Sequence, residues 1–214
     1  MTELRQRYLE AQLAGDRRAA LQVVMHEGFE RGFSVRELQT GVVQAAQREI
    51  GHLWQQNRIS IAQEHMATAI SQVVMSRLFE AAASEARIGR KVVVACVEGE
   101  LHEFPARLVA DALDLGGFDT RYLGANVPTD DLLKMLGTET PDLLALSVTM
   151  SFNAPALHAA VARVREAFPR LPILAGGHAL AWEPGLAAAA GVESCAGEPE
   201  AVLAAAKRLL GFAA

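Results

Sequence analysis

The sequence has few aromatic residues, few cysteines and no excess of basic charge. Aromatic residues make up 6% of the 214 positions, so the core must be built mainly from alanine, leucine and valine. This composition favours closely packed helices and short apolar strands. The two cysteines, Cys96 and Cys195, both lie in apolar strand-like runs. Two buried thiols in a reducing compartment explain them better than a disulfide does.

The chain also lacks the features of membrane, secreted and nucleic-acid-binding proteins. Its formal net charge is −5, from 20 basic and 25 acidic residues, whereas a broad nucleic-acid surface needs a basic face. No apolar run reaches the roughly 18 residues of a membrane span. The first six residues are polar and mixed in charge, unlike a secretory signal. We therefore expect a cytoplasmic protein that contacts neither nucleic acid nor membrane directly.

The apolar residues of the first 86 positions recur at helical spacing, with no strand pattern. Four helices joined by short polar connections are expected, which is typical of a small antiparallel bundle. Asp16 is predicted to cap the second helix. Ser34–Glu37 and Ser60–Gln63 are predicted capping boxes that begin the third and fourth helices. Residues 87–90 then have the composition of a linker.

Residues 91–214 change to an alternation of strands and helices. Strands are expected at 91–97, 119–123, 142–149, 172–175 and 193–196, and helices at 107–115, 129–136, 155–168, 183–190 and 198–209. Near-continuous apolar strands alternating with helices indicate a parallel sheet covered on both faces. The predicted fold class is therefore α/β, an N-terminal four-helix bundle followed by a five-stranded parallel flavodoxin-like (Rossmann-like) domain. Ligands of such sheets bind beyond the carboxyl ends of the strands.

The segments that follow the predicted strands carry polar and flexible residues. After the first strand, Glu100 precedes His102 by two positions, which suits a metal ligand whose imidazole a carboxylate orients. Hydroxyls lie at the end of the third strand, at Ser147 and Thr149, and the Gly176-Gly177 pair after the fourth allows close backbone approach. Singly, each is explained better by an ordinary loop or turn than by a function. Together, at one sheet edge, they predict a binding site.

In combination, these residues resemble the signature of cobalamin-binding domains. That signature reads Asp-x-His-x-x-Gly, Ser-x-Leu and Gly-Gly. This chain has Glu100-x-His102-x-x-Pro105, then 41 residues, Ser147-x-Thr149, then 26 residues, and Gly176-Gly177. The resemblance covers residues 91–214. Glu100, Thr149 and Pro105 depart from the signature, and Pro105 restricts the ligand loop because it fixes its own φ and lacks an N–H.

The resemblance implies a role for each matching residue. His102 would ligate cobalt from below, in place of the cofactor's dimethylbenzimidazole tail, and Glu100 would hydrogen-bond His102. Ser147 would meet the displaced tail in a slot lined by Gly176 and Gly177. The other cofactor-binding residues expected in the domain follow the first four strands: Leu101, Phe104, Gly124, Asn126, Val127, Thr149 and His178.

The N-terminal half resembles the helical bundle of adenosylcobalamin photoreceptors of the CarH/LitR type. Those bundles carry Trp, nine residues, then Glu-His, and this chain has Trp54, nine residues, and Glu64-His65. The resemblance implies that residues 1–86 cap the upper face of the corrin, with Trp54 on the adenosyl group and Glu64 and His65 beside it. Alternatively, Trp54 anchors the bundle core, and Glu64 complements a helix dipole.

One position of this photoreceptor pattern differs. The histidine that takes the upper cobalt position after illumination is replaced by Gln55. Either another histidine, His52 or His65, or a water molecule would fill that position. The remaining histidines are expected on helix faces or loops.

The resemblance implies a cobalamin-dependent light sensor rather than an enzyme, with no catalytic residue. Light would cleave the cobalt–carbon bond and shift the bundle against the sheet domain. No helix-turn-helix segment is present in the sequence, so we expect output through a protein partner and self-association, with a homodimer favoured. The alternatives are a corrinoid shuttle protein of a methyltransferase system and a passive cobalamin carrier. A linear tetrapyrrole such as biliverdin, bound non-covalently, is a candidate second cofactor.

Overall fold

The computed structural model describes residues 1–183, 185–195 and 198–212. They form two compact units, which divide between Ala83 and Ser84. Residues 84–90, expected to be bundle end and linker, belong to the second unit because their backbone is bonded there. The amide of Glu85 donates to the carbonyl of Leu115 at 2.7 Å, and the amide of Ile88 donates to Gly117 at 2.9 Å. Among the described residues, no helix combines the length and hydropathy that crossing a membrane requires.

The first unit contains the four helical rods that the periodicity predicts. They comprise α1 (Thr2–Leu13), α2 (Arg17–Leu21) with its π-helical continuation Gln22–Gly28, α3 (Val35–Leu38) leading through π-helical Gln39–Gln44 into α4 (Ala45–Gln55), and α5 (Ile61–Ala81). The predicted start signals are confirmed. Asp16 accepts a hydrogen bond from the amide of Ala19, and both capping boxes are complete. The two π-helical segments were not predicted, since one widened turn barely changes an apolar spacing.

The core of the first unit is aliphatic, as the shortage of aromatic residues requires. Leu4, Leu38, Ile50 and Leu78 are fully buried, and each contributes roughly 1.5–3 kcal/mol relative to an exposed position. Polar side chains are also present inside this core. Tyr8, Gln12 and Ser71 are fully buried as well.

The second unit is a parallel five-stranded sheet, in agreement with the predicted class. Its strands are β1 (Lys91–Cys96), β2 (Asp119–Tyr122), β3 (Leu143–Ser147), β4 (Ile173–Gly176) and β5 (Glu193–Ser194), in the order β2-β1-β3-β4-β5. The helices are α6 (Phe104–Leu115), α7 (Thr129–Glu139), α8 (Ala154–Ala167), α9 (His178–Trp182), α10 (Gly185–Ala190) and α11 (Pro199–Leu209). An apolar cluster covers each face of the sheet. The strand order reverses at β1 and β3, where sheets of this type bind ligands.

Several element ends differ from the expected ones for identifiable reasons. The third strand ends at Ser147, because the amides of Thr149 and Met150 donate to Glu100. Helix α6 begins at Phe104, three residues early. The short helix α9 was not expected, and Ala196, the predicted end of the fifth strand, lies outside the described residues.

Asp111 on α6 is a buried carboxyl that makes stability depend on pH. Its Oδ1 accepts a hydrogen bond from Arg107 Nε at 3.0 Å, whereas its buried Oδ2 has no partner among the described residues. Burial raises the pKa of Asp111 to about 6, although Arg107 acts in the opposite direction. The folded protein therefore holds this proton to a higher pH than the unfolded chain does, so the contribution of Asp111 to stability falls as the pH rises from its ordinary pKa through the raised one.

We predict that Asp111→Asn removes this dependence. Relative to the variant, the wild-type protein should lose about 2 kcal/mol of unfolding free energy between pH 4 and pH 7. Urea unfolding followed by circular dichroism across this range measures the difference. Asp131→Asn, which changes an exposed carboxylate of α7, is the control. Parallel pH curves for the wild type and Asp111→Asn would contradict the prediction.

Candidate functional site

Three neighbouring strands end at the same level on the carboxyl edge of the sheet. Cys96 at the end of β1 is in register with Ser147 of β3, and Ser147 is in register with Gly176 of β4. The segments that contain the predicted ligand, hydroxyl and glycine residues therefore leave adjacent strands side by side. Parallel pairing in this strand order places them at the β1/β3 reversal point.

The carboxylate of Glu100 joins the segments that follow β1 and β3. This side chain is fully buried, at 0% exposure. Its Oε1 accepts hydrogen bonds from the backbone N–H of His102 at 2.9 Å and from His102 Nδ1 at 2.7 Å. Its Oε2 accepts from the amides of Thr149 and Met150, each at 2.9 Å, and from Asn153 Nδ2 at 3.0 Å. The donors thus come from both sides of the strand reversal.

These hydrogen bonds determine the charge of Glu100 and the tautomer of His102. Burial by itself raises the pKa of Glu100, but the bonds from the His102 side chain, Met150 and Asn153 outweigh burial and lower the pKa to about 2. Glu100 is therefore ionised at neutral pH and can only accept, so Nδ1 of His102 must be the donor. In that tautomer Nε2 carries the lone pair and can bind a metal.

Two large apolar side chains in the loops after β1 and β3 are exposed. The His102 side chain is 41% exposed, and Leu101 and Phe152 are each 70% exposed although both are large and apolar. Phe152 lies in a single 3₁₀ turn, Ser151–Asn153, between β3 and α8. Exposed apolar side chains on two adjacent loops are typical of a ligand surface.

Sequence reasoning missed both Phe152 and Asn153. Asn153 precedes α8 at the position where asparagine commonly caps a helix, yet it makes no side-chain cap there. Its amide instead donates to Glu100. The sequence signal at Asn153 therefore indicates a local role, whereas the residue acts between loops.

Pro105 does not distort the ligand loop. It lies in the first turn of α6, which begins at Phe104. The amides of a first helical turn have no partner within the helix, so the missing N–H of proline removes no bond there. The departure from the signature at this position is therefore compatible with the first turn of α6.

The hydroxyl and glycine residues have different local environments. Ser147 is buried at the end of β3, and the buried Oγ1 of Thr149 has no hydrogen-bond partner among the described residues. A Cβ on Gly177, where φ is +108°, would lie 2.2 Å from the carbonyl oxygen of Val148, and one on Gly176 would lie 2.8 Å from that of Cys195. The glycine pair is therefore required by the packing of the chain itself.

The loop after β2 is tied to the loop after β1. Asn126 has a left-handed backbone with φ of +50°. Its Oδ1 accepts from the amide of Gly99 at 2.8 Å, and its own amide donates to the carbonyl of Glu100 at 2.8 Å. Gly124 also has a positive φ, of +81°. Val127 donates from its amide to Cys96 at 3.3 Å.

Phe104 and His178, two of the predicted cofactor contacts, differ in their exposure. Phe104 is buried at the first position of α6. His178 is exposed, and its ring meets that of Trp182 edge-on at a centroid distance of 4.8 Å. A role for Phe104 and His178 in holding a ligand stays a prediction.

In the first unit, the predicted upper-face residues lie at the ends of α4 and α5. Trp54 is half-buried in the last turn of α4. Glu64, 20% exposed, and His65, 71% exposed, lie in the first two turns of α5, with Glu64 Oε2 3.6 Å from His65 Nε2. The hydroxyl of Thr68 donates to Glu64 Oε1 at 2.8 Å. Gln55, beside Trp54, is exposed.

We predict that Gly177→Ala destabilises the second unit. The added methyl group would overlap the backbone at Val148 in a conformation that alanine rarely adopts, at a cost of about 2–4 kcal/mol. Thermal unfolding of the protein measures the change. Gly185→Ala is the matched control, since a Cβ there meets nothing within 4 Å, and it should leave the melting temperature nearly unchanged. Equal stability of the two variants would contradict the prediction.

Comparison with known proteins identifies the family. Residues 90–207 match a family model described as a B12 binding domain, and residues 4–79 match a second model with the same description. The chain is 34% identical over 134 residues to the HTH-type transcriptional repressor CarH of Myxococcus xanthus, which is 61% of this chain and 44% of that protein. It is 30% identical over 122 residues to the HTH-type transcriptional repressor CarA of the same organism. That match covers 56% of this chain and 41% of CarA.

Solved structures share the fold. The monomethylamine corrinoid protein of Methanosarcina barkeri superposes with a TM-score of 0.82 at 17% identity, over 97% of this chain and 99% of that one. A cobalamin-binding protein of Desulfitobacterium hafniense gives a TM-score of 0.53 at 20% identity, over 95% and 97%. The chain spans less than half the length of the curated repressors it matches. On the two family matches, the chain belongs to the B12-binding domain family.

Proposed function

We propose that this chain is a cobalamin-binding regulatory protein that senses light through adenosylcobalamin. The observation that carries the cofactor assignment is the hydrogen bond between Glu100 and His102 Nδ1, 2.7 Å long. A buried, ionised carboxylate fixes the imidazole tautomer and strengthens Nε2 as a metal donor. One axial imidazole suits a metal whose equatorial positions a macrocycle occupies.

The rest of the sheet edge fits the same cofactor. The orphaned hydroxyl of Thr149 offers a hydrogen-bonding group to the nucleotide tail, and Ser147 would contact the tail near the Gly176-Gly177 turn. Leu101 and Phe152, both exposed, would pack against the apolar surface of the corrin. When bound, adenosylcobalamin would supply a cobalt–carbon bond that visible light breaks.

The residues of the first unit favour a sensor over a carrier. Trp54 would pack on the adenosyl group, and Glu64 and His65 would hydrogen-bond it. The similarity to CarH, whose name describes a transcriptional repressor, supports a regulatory role. Because Gln55 replaces the neighbouring histidine of the photoreceptors, we propose that His52, His65 or water takes the upper position after illumination.

The second candidate is a corrinoid shuttle of a methyltransferase system. The observation that favours it is the superposition along nearly the whole chain with a monomethylamine corrinoid protein. A shuttle requires His102 but not the Trp54 and Glu64-His65 arrangement, which is why we rank it second.

For the sensor, we propose a homodimer and a protein partner for output, with no direct contact to nucleic acid. A bound biliverdin would be an addition to this scheme.

We predict that His102→Ala changes the absorption spectrum of bound adenosylcobalamin to that of the cofactor without a histidine ligand. Glu100→Gln should retain the histidine ligand but weaken cofactor binding roughly 10–100-fold, since it no longer orients the imidazole as an anion. His26→Ala, an exposed residue of the first unit, is the control. A wild-type spectrum for His102→Ala would refute the lower-ligand assignment.

We predict that light changes both the spectrum and the oligomeric state of the adenosylcobalamin complex. The complex is prepared in darkness, analysed by absorption and size-exclusion chromatography, illuminated, and analysed again. The control is the cyanocobalamin complex, which has no adenosyl group. An unchanged elution volume together with methyl transfer from bound methylcobalamin to a partner enzyme would favour the shuttle instead.

A further inference from the structure

A continuous chain of hydrogen bonds runs through the first unit to Glu64. The hydroxyl oxygens of Tyr8 on α1 and Ser71 on α5 are 3.0 Å apart. The Ser71 hydroxyl donates to Gln47 Oε1 on α4 at 3.0 Å. Gln47 Nε2 donates to the hydroxyl of Thr68, which donates to Glu64 Oε1 at 2.8 Å. Three helices therefore contribute to one polar path.

Every donor in this path points towards Glu64. The Ser71 hydroxyl has a single hydrogen, which it donates to Gln47. Tyr8 must therefore be the donor in its hydrogen bond with Ser71. Burial raises the pKa of Tyr8 above its ordinary value, so the phenol stays protonated and able to donate. Aligned donors polarise one another, which strengthens each hydrogen bond in the series. The carboxylate of Glu64 is the terminal acceptor.

Gln12 fixes the orientation of the Gln47 amide. The two N–H bonds of Gln12 Nε2 face three acceptors, Gln47 Oε1 at 3.2 Å, Ser71 Oγ at 2.9 Å and the carbonyl of Ala67 at 3.1 Å, so at least one of these hydrogen bonds is shared. A reversed Gln47 amide would direct two donors at each other, so only one orientation satisfies the path. The Nε2 group of Gln47 is thereby held towards Thr68.

The path starts among buried polar groups inside the bundle and ends at its surface. Tyr8, Gln12 and Ser71 are fully buried in an otherwise aliphatic core, where polar groups must be hydrogen-bonded to avoid a desolvation penalty. The path also ends at a group that is not buried, since Glu64 is 20% exposed. Its Oε1 is held by Thr68, which leaves Oε2 on the side of His65.

We propose that Gln47 and Thr68 are positioning residues that hold the Glu64 carboxylate in place for the adenosyl group, with Ser71 and Tyr8 supporting them. This inference rests on the proposed function, because it takes Glu64 to be a contact of the adenosyl group. Gln47 lies seven residues before Trp54, two turns along the same face of α4. The helix that carries Trp54 therefore also holds Glu64, through Gln47 and Thr68.

Isosteric substitution of Thr68 tests the positioning role. Thr68→Val removes the hydroxyl and should lower the preference of the full-length protein for adenosylcobalamin over cyanocobalamin about tenfold. Thr68→Ser should restore it. Thr40→Val is the matched control, because the Thr40 hydroxyl donates to the carbonyl of Arg36 within its own helical rod. In a Glu64→Gln background, Thr68→Val should have no further effect, since the two changes act through one group.

A second measurement examines the path without any cofactor. In the apoprotein, Glu64→Gln should shift the side-chain amide NMR signals of Gln47, two hydrogen bonds away. Glu80→Gln, which changes an exposed carboxylate of the same helix paired with Arg77, should not shift them. Unchanged Gln47 signals would overturn the path even if Thr68→Val fails to fold.

The outcomes separate this inference from the function on which it rests. If Glu64→Gln lowers the preference for adenosylcobalamin and Thr68→Val does not, the positioning role is wrong and the cofactor contact stands. Additive effects of the two substitutions would also refute the positioning role, because they would show a merely structural loss. If Glu64→Gln has no effect on the preference, the proposed upper-face role of Glu64 is wrong, and the inference is wrong with it.

Discussion

The buried carboxylate of Glu100 is the interaction on which the geometry of the sheet edge depends. A charged group removed from water is tolerated only when donors replace its hydration, and here the donors are the His102 ring and backbone, two amides after β3 and the amide side chain of Asn153. One anion thus joins the loop after β1 to the segment after β3 and orients an imidazole. Removing it would release all of these groups together.

The departures from the family signature become understandable from this arrangement. Glutamate is one methylene longer than aspartate, and its two oxygens bond to different loops, Oε1 to His102 and Oε2 to the segment after β3. Proline at the signature glycine position lies in the first turn of α6, where no N–H is needed. Threonine at the signature leucine position adds a buried hydroxyl without a partner among the described residues, which is the kind of group a bound nucleotide would satisfy.

Each of the two units contains a glutamate carboxylate that is held by hydrogen bonds near a histidine. In each unit, a glutamate lies one or two positions before a histidine, and another element holds its carboxylate. The amide of Thr149, after β3, donates to Glu100. Gln47 of α4 donates to Thr68, which in turn donates to Glu64. The difference lies in the charge environment. Glu100 is fully enclosed, whereas Glu64 retains contact with solvent. The oxygens of Glu100 are therefore surrounded by protein donors, whereas Oε2 of Glu64 lies beside the exposed ring of His65.

The sequence by itself determined the helical bundle, the parallel sheet and the pairing of Glu100 with His102, because these follow from apolar periodicity, capping residues and short spacings. It also marked Gly176-Gly177, although the reason is the closeness of the Val148 and Cys195 backbones and not a ligand alone. Only the tertiary structure revealed Asn153, Phe152 and the path from Tyr8 to Glu64. These involve residues far apart in the chain, up to 63 positions, and no local pattern records which side chains a folded core brings within hydrogen-bonding distance.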